Sequence, residues 1–190
     1  MHYVCEQCQL YKVADNPHIQ GRGQLDKETV LFLIGEAPGW EENVKNEVFI
    51  GRAGYILNKG LKLIAPKGGY YITNAVKCFP KDEETSRAKA FRIPSEHEVS
   101  LCNHFLAEEV SQVDPSKCVL MPLGNTALSA LFGQEHEKIT KVAGRTLEIK
   151  LADTTYKVIP NYHPSYILRN PSKTPVFEAI LRMGYIYYRS

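Results

Sequence analysis

Four cysteines in the 190-residue chain have the type and spacing of metal ligands. Cys5 and Cys8 form a C-x2-C pair, and Cys78 and Cys102 lie further along the chain. Four thiolates suit either zinc or an iron-sulfur cluster, and a C-x2-C turn brings two sulfurs to one metal centre. The spacing does not choose between these metals. Cys78 and Cys102 also fit as buried thiols of the core, a common environment for free cysteine.

A carboxylate-rich stretch covers residues 35–54, GEAPGWEENVKNEVFIGRAG. Its glycines allow the backbone to approach a ligand, and Glu36, Glu41 and Glu42 supply carboxylates for acid-base chemistry. The alternative is a surface loop with solvated acids. The stretch is not a Walker A phosphate loop, because no Gly-Lys-Ser/Thr follows.

Two further polar residues occupy unusual places. Asn74 lies within the apolar run YYITNAV, and His163 precedes a proline in NYHPSYILRN. Asn74 could simply satisfy a neighbouring backbone group, and His163 could be a structural histidine at a turn. Both residues are nevertheless candidates for ligand contact.

Three apolar runs, TVLFLI, YYITNAV and CVLMPLG, have the character of strands buried on both faces of a parallel sheet. Stretches with helical periodicity separate them, which predicts right-handed βαβ units in a three-layer α/β/α sandwich with a mainly parallel central sheet. Ligands of such sheets bind beyond the carboxyl ends of the strands. The residues after each run, including Glu36, Asn74 and His163, are therefore expected to converge.

Helix punctuation is also readable. Ser95 with Glu98 predicts a capping box before a helix that runs to about Val113. Asn125 is expected to cap the helix NTALSALF, and Gly133 to end it. TLEIKL and TYKVIP are expected to pair as strands, and residues 175–188 to form a final helix.

The composition bounds the class of protein. The length predicts a single domain spanning residues 1–190, and no apolar run approaches the roughly 20 residues of a membrane span. The N-terminus lacks a secretory pattern, and five cysteines are an odd number for a disulfide framework, so we expect a cytoplasmic, reducing location. Cys118 lies in an apolar run and is assigned to the core. A net charge of +2 permits nucleic-acid binding without requiring it.

Four sequence blocks carry a resemblance to a known family. GEAPG, FIGRAG, YITNAVKCFP and YHPSYILRNPSK occur in the order and approximate spacing of the family 4 uracil-DNA glycosylases, and the match spans nearly the whole chain. The resemblance implies a monomeric enzyme that flips uracil out of DNA, hydrolyses its N-glycosidic bond and leaves an abasic site. It also implies a 4Fe-4S cluster on Cys5, Cys8, Cys78 and Cys102. Hydrolysis moves no electron, so the cluster is expected to be structural.

The resemblance assigns three residues to the extruded base. Phe49 is expected to stack on uracil, and the Asn74 amide to donate to O4 and accept from N3–H. Cytosine presents the opposite pattern and would leave buried polar groups unpaired. His163 is expected to donate to uracil O2, where negative charge grows as the bond breaks.

Acidic residues are assigned through the same blocks. Better-known uracil glycosylases resemble GQDPY where this chain has GEAPG, so Ala37 stands beside the substrate in place of a water-activating Asp. Glu36 is expected to position or activate water, and Glu42 to pack near C5 and exclude the methyl group of thymine. An exchange of these two roles leaves the reaction unchanged.

The remaining assignments concern DNA. Tyr166, Ile167 and Leu168 are candidates for a wedge that fills the vacated base stack. The predicted DNA-binding set, with basic side chains on phosphates, is Arg52, Lys77, Ser165, Leu168 and Arg169.

Some positions depart from the family pattern. Asn43, Asn46 and Val48 replace a usual Asp, Gly and Pro, and the stretch 81–92 is longer than usual. The three replaced residues near Phe49 support an alternative function, a noncatalytic DNA-binding or replication-accessory protein that keeps the fold and the cluster. The stretch 81–92 is most simply a solvated loop or helix face, with a DNA contact as the alternative. Excision of another deaminated base is a third possibility.

Overall fold

Within residues 5–82 and 91–188, which the computed structural model describes, six strands form one sheet. The strands are β1 Arg22–Gly23, β2 Leu31–Gly35, β3 Tyr70–Asn74, β4 Val119–Pro122, β5 Leu147–Leu151 and β6 Thr154–Val158. Their order is β1-β3-β2-β4-β6-β5. The four central strands are parallel, and β1 and β5 pair antiparallel at the two edges. The mainly parallel sheet is confirmed. Each strand is somewhat shorter than the apolar run that predicted it.

The helices connect these strands. They are α1 Leu10–Val13, α2 Trp40–Lys45, α3 Arg52–Ile64, α4 Glu96–Val110, α5 Asn125–Phe132, α6 Ile139–Val142, α7 Pro164–Arg169 and α8 Thr174–Ile186. Among the described residues, no helix is both long enough and apolar enough to cross a lipid bilayer.

The side chains of β2 point alternately to the two faces of the sheet and so belong to two separate layers of the core. Phe32 and Ile34 pack in one hydrophobic cluster with residues of α4 and α5, whereas Leu31 and Leu33 pack in another with residues of α3 and α8. Successive side chains of a strand point to opposite faces, so each cluster fills one face of the sheet. The predicted three-layer α/β/α sandwich is confirmed.

The start of α4 follows the predicted chemistry. Ser95 Oγ accepts a hydrogen bond from the Glu98 N–H at 3.2 Å, and Glu98 Oε2 accepts one from the Ser95 N–H at 2.8 Å. This capping box fixes the first turn of the helix that carries Cys102. The helix ends at Val110, slightly earlier than expected.

The predicted cap of α5 is wrong. Gly124, with φ of 90°, occupies the N-cap position, and the Asn125 side chain instead accepts a hydrogen bond from the Ile139 N–H at 2.8 Å. Asn125 therefore ties α5 to α6. Gly133 ends α5 as predicted, and the expected β5–β6 pair and the C-terminal helix are present.

The carboxyl ends of the central strands meet at one edge of the sheet. Gly35 of β2 pairs in register with Asn74 of β3, and Leu123 bridges to Asn161 just after β4 and β6. This register brings GEAPG, Asn74 and the NYHPS segment together, as expected of an open parallel sheet. Most of the unusually long stretch 81–92 lies outside the described residues.

Candidate active site

A cavity of about 380 Å³ opens at this edge, and Phe49, Asn74 and His163 all line it. The Phe49 and His163 ring centroids are 6.1 Å apart, with the ring planes tilted by 39°. The three side chains assigned to one extruded base thus share one cavity. Their convergence is the geometric condition on which the sequence hypothesis depends.

Asn74 brings an unsatisfied acceptor to this cavity. The residue is 2 % exposed, and its Oδ1 is the buried side-chain atom that lacks a hydrogen-bond partner within the described part of the chain. Buried polar atoms are nearly always paired, so an orphan at the wall of a cavity indicates a position for a ligand donor.

Gly35 leaves the space that Asn74 and Phe49 occupy. A Cβ built on Gly35 would lie 2.3 Å from Asn74 Oδ1 and 2.5 Å from Phe49 Cζ. Any side chain at this position would displace one or both groups. The first glycine of GEAPG is therefore required by the close approach of the amide and the aromatic ring.

Phe49 is held in a strained backbone conformation. Its φ is 54°, in the left-handed region that bulky residues avoid. Asn58 Nδ2 donates to the Phe49 carbonyl at 3.0 Å, and Arg22 Nε donates to the Val48 carbonyl at 3.0 Å. A Cβ on Gly54 would lie 1.9 Å from the Phe49 carbonyl oxygen, so the following glycine is needed as well. Strain supported on several sides is typical of functional loops.

Glu42 supports the same loop from α2. Its Oε1 accepts hydrogen bonds from the Gly51 N–H at 2.8 Å and the Ile50 N–H at 3.1 Å, and the residue is 8 % exposed. The carboxylate also lines the cavity. Glu42 is thus placed to fix the backbone beside Phe49, and its predicted role near uracil C5 stays a prediction.

The departures from the family pattern have structural explanations. Asn46, in place of glycine, ends α2 with φ of 55°, a conformation that asparagine tolerates. Val48 is fully buried in the hydrophobic core. Asn43 accepts a hydrogen bond from the Asp15 N–H at 2.9 Å and donates to the Asp15 carboxylate at 2.5 Å. These residues support the loop without removing a group from the cavity.

His163 is oriented by Ser165. The Ser165 N–H donates to His163 Nδ1 at 3.2 Å, and Ser165 Oγ lies 2.7 Å from the same nitrogen. Because a backbone N–H only donates, Nδ1 is the acceptor and the neutral ring carries its proton on Nε2. Burial lowers the pKa of His163 to about 4, with the charge of Arg169 as a smaller cause. The ring is therefore a neutral Nε2–H donor at neutral pH.

Glu36 follows β2 directly and lines the cavity. Burial raises the pKa of Glu36, and a hydrogen bond from Thr126 Oγ1 to Glu36 Oε2, at 2.5 Å, opposes part of that rise. A carboxylate with a raised pKa is suited to act as a general base. Sequence reasoning missed Thr126, because its position one residue into α5 becomes informative only when the sheet brings α5 beside Glu36.

The residues assigned to DNA divide into two groups. Arg52 is exposed at the start of α3 and lines the cavity together with Ala37, Ser165 and Leu168. Arg169 is exposed at the end of α7 and lines a neighbouring cavity. These residues thus lie in or beside the cavity that Phe49, Asn74 and His163 line.

The assignment of Lys77 to a DNA phosphate is wrong. Lys77 is 1 % exposed, and its Nζ forms an ion pair with Glu109 at 2.7 Å and donates to Thr73 Oγ1 at 2.6 Å. Glu109 also accepts from the Tyr71 hydroxyl at 3.0 Å. A lysine between an apolar run and a cysteine gives no sign in the sequence that α4 supplies a half-buried carboxylate beside it.

The four candidate ligand cysteines lie near one another, with Cys102 in the middle of α4. Cys5, Cys78 and Cys102 are buried and Cys8 is half-buried, and each thiol is within electrostatic reach of the other three. Burial raises the pKa of Cys78 to about 12 and that of Cys102 to about 11. No three His, Cys, Asp or Glu side chains of residues 5–82 and 91–188 converge tightly enough to hold a single metal ion. Cys118 is fully buried just before β4, as expected of a core residue.

Comparisons with known proteins agree with the motif resemblance. The Uracil DNA glycosylase superfamily model matches residues 22–183. A type-4 uracil-DNA glycosylase of Thermotoga maritima is 36 % identical over 169 residues, covering 88 % of this chain and 80 % of the relative. Type-4 uracil-DNA glycosylases of Pyrobaculum aerophilum and Archaeoglobus fulgidus are 30 % and 32 % identical, covering 94 % and 92 % of this chain and 87 % and 83 % of theirs. The chain therefore belongs to the uracil DNA glycosylase superfamily.

Proposed function

We propose that this protein removes uracil from DNA by hydrolysing the N-glycosidic bond of an extruded deoxyuridine. The observation that carries the proposal is the unpaired Oδ1 of Asn74 in a cavity shared with Phe49 and His163. The type-4 uracil-DNA glycosylases that the chain resembles support the same activity. The reaction is proposed for a single-domain monomer spanning residues 1–190.

Recognition of uracil follows from the amide of Asn74. Oδ1 accepts from uracil N3–H, which supplies the missing partner, and Nδ2 donates to O4. Phe49 stacks on the ring, as aromatic side chains do with flipped bases. Cytosine has no N3–H and carries an amino group in place of O4, so its entry leaves both ends of the amide unpaired.

Bond cleavage places negative charge on the departing uracil and positive charge on the sugar. His163 donates its Nε2–H to O2, and the neutral ring holds this proton because burial keeps the pKa low. The Glu36 carboxylate orients a water for attack on the sugar, with Thr126 fixing one of its oxygens. Ala37 has no acidic group, so within the GEAPG motif Glu36 is the residue that can orient this water.

The strand is held around this site by exposed cations and by α7. We propose phosphate contacts for Arg52 and Arg169, and insertion of Leu168 into the vacated stack. Ser165 contributes indirectly, because its hydroxyl orients the His163 ring that contacts the uracil.

We also propose a 4Fe-4S cluster on Cys5, Cys8, Cys78 and Cys102. The donor set fits, because four thiols gather in one place and backbone N–H groups point at their sulfurs. The His18 N–H donates to Cys78 Sγ at 3.3 Å, and the backbone N–H groups of Leu10 and Lys77 bond Cys8 and Cys102. These four thiols would together hold a cluster of several irons, so the tight convergence of a single-ion site is not required of them. Its contribution is to link the N-terminal turn to α4.

Replacement of Asn74 tests the proposed activity. We expect Asn74→Ala to lower kcat/KM on an oligonucleotide with one uracil by about 100-fold or more, because two buried hydrogen bonds are lost. The matched control is Asn103→Ala, an exposed asparagine of α4, which should retain full activity. Alkali cleavage of single-stranded and duplex substrates on a gel gives the rates.

A wild-type protein that binds uracil-containing DNA and yields no alkali-labile product would overturn the proposal. That outcome would favour the noncatalytic alternative. Competition with oligonucleotides that carry other deaminated bases measures the breadth of the substrate range.

The pH dependence tests the Glu36–Thr126 pair. Glu36 is active as the carboxylate, so activity is present above its pKa and falls as the pH drops through it. Thr126→Val removes the hydrogen bond that lowers this pKa, and the acidic limb of log kcat/KM should move to higher pH. Thr126→Ser keeps the hydroxyl and should leave the limb near its wild-type position. A profile unmoved by Thr126→Val would contradict the assignment.

Absorbance tests the cluster. The purified wild-type protein should absorb at about 400 nm and contain iron and sulfide, whereas zinc gives no such band. Cys102→Ser should lose most of this absorbance. Cys118→Ser, a buried cysteine outside the ligand set, should retain it. Colourless, correctly folded wild-type protein with bound zinc would refute the cluster.

A further inference from the structure

A second cavity, of about 500 Å³, adjoins the first. The two share Glu36, Phe91, His163 and Ser165 along their boundary. A polymer whose base occupies the first cavity therefore has a continuous path into the second. The reaction proposed above places the uracil base in the first cavity and assigns no base to the second.

Two exposed apolar side chains line the second cavity, and one of them, Phe91, also lies on its boundary with the first. Phe91 is 47 % exposed and Ile93 is 69 % exposed, and both line the second cavity. Large apolar side chains exposed beside a cavity indicate a surface that binds a partner. Phe91 belongs to the stretch 81–92, and Ile93 adjoins it.

Arg92 holds this apolar pair in place. Its guanidinium makes two hydrogen bonds with the Glu98 carboxylate, at 2.7 and 2.8 Å, and its backbone N–H donates to the Pro80 carbonyl at 3.1 Å. Because Arg92 is bound to the start of α4, its two neighbours are presented to the cavity by an anchored segment.

Other walls of the second cavity add aromatic surface and positive charge. The Tyr162 and Tyr166 rings are stacked, with centroids 5.2 Å apart and planes 20° apart. Arg169 is exposed and lines the cavity beside them. Aromatic faces combined with a cation are the usual composition of sites for single-stranded nucleic acid.

We propose that the second cavity holds the nucleotide next to the target uridine on the same strand. Its base stacks on Phe91 and its phosphate pairs with Arg169. The inference rests on the proposed uracil excision and adds a second recognition position to it. A strand bound in this way is unstacked at two successive nucleotides, so single-stranded uracil DNA should be the better substrate.

The test combines a protein change with a substrate change. One oligonucleotide carries a single uracil, and two others replace the base on its 5′ or 3′ side by an abasic spacer. For the wild-type protein, one of the spacers should lower kcat/KM by about 5- to 150-fold, the range for loss of one base–aromatic stack. Phe91→Ala should cause a similar loss on the intact oligonucleotide and little further loss on that spacer.

Several controls make the outcome specific. Phe91→Trp keeps an aromatic face and should keep the preference for the intact neighbour. Leu63→Ala removes an apolar side chain that is more exposed than Phe91 and lies outside both cavities, so it should change nothing. Arg169→Gln should reduce the slope of log affinity against log salt by about one.

The inference would be overturned if Phe91→Ala and each spacer lowered kcat/KM independently, so that their fold-losses multiplied. Full activity of Phe91→Ala on the intact oligonucleotide would also overturn it. Fluorescence anisotropy gives the dissociation constants of the same oligonucleotides. In these too, Phe91→Ala and the effective spacer together should weaken binding little more than either change alone. A wild-type protein that releases no uracil refutes the proposed function, while these dissociation constants still decide whether the second cavity binds the neighbouring nucleotide.

Discussion

The close approach of two strand ends is the constraint on which the site depends. Gly35 and Asn74 are register partners on β2 and β3, and the absent side chain of Gly35 gives room for the Asn74 amide and the Phe49 ring at the same point. The amide arrives there with its Oδ1 buried and unpaired. An unpaired buried acceptor costs free energy in the folded protein, about 1–3 kcal/mol, and a base that supplies N3–H removes that cost. The uracil specificity that we propose thus begins in the backbone geometry of the parallel sheet.

The loop that carries Phe49 shows how such a site is kept rigid. A left-handed phenylalanine is unfavourable by itself, and the loop is held by the Glu42 carboxylate, the Asn58 amide and the Arg22 guanidinium. A similar principle applies on the opposite side, where Ser165 fixes the tautomer of His163, and behind β2, where Thr126 fixes Glu36. Phe49, His163 and Glu36 therefore each have a further residue that restricts their orientation, which is a requirement for preorganised catalysis.

Much of this arrangement could be predicted from the sequence, because it follows from local patterns. The apolar runs predicted the parallel strands, and the polar residues after them predicted the edge of the sheet where the site lies. The Ser95–Glu98 capping box predicted the start of α4. Residues whose role depends on tertiary partners could not be assigned in this way. Lys77 was predicted to bind a phosphate, but the structure pairs it with Glu109. Asn125 was predicted to cap α5, but its side chain accepts a hydrogen bond from Ile139 of α6. Thr126 and Phe91 were missed for the same reason, since each acquires its role through a distant segment.

The Gly35 position offers the most direct test of the central claim. Gly35→Ala adds one methyl group where Asn74 Oδ1 and the Phe49 ring already lie within 2.5 Å. The measurement is the rate of uracil release under single-turnover conditions, with Gly60→Ala as the control for a buried glycine of α3 outside the site. We expect Gly35→Ala to fold, to keep the same absorbance as the wild-type protein, and to lose uracil release by at least about 100-fold. Release at the wild-type rate by folded Gly35→Ala protein would contradict the account, because the amide and the ring would then not need the positions on which it relies.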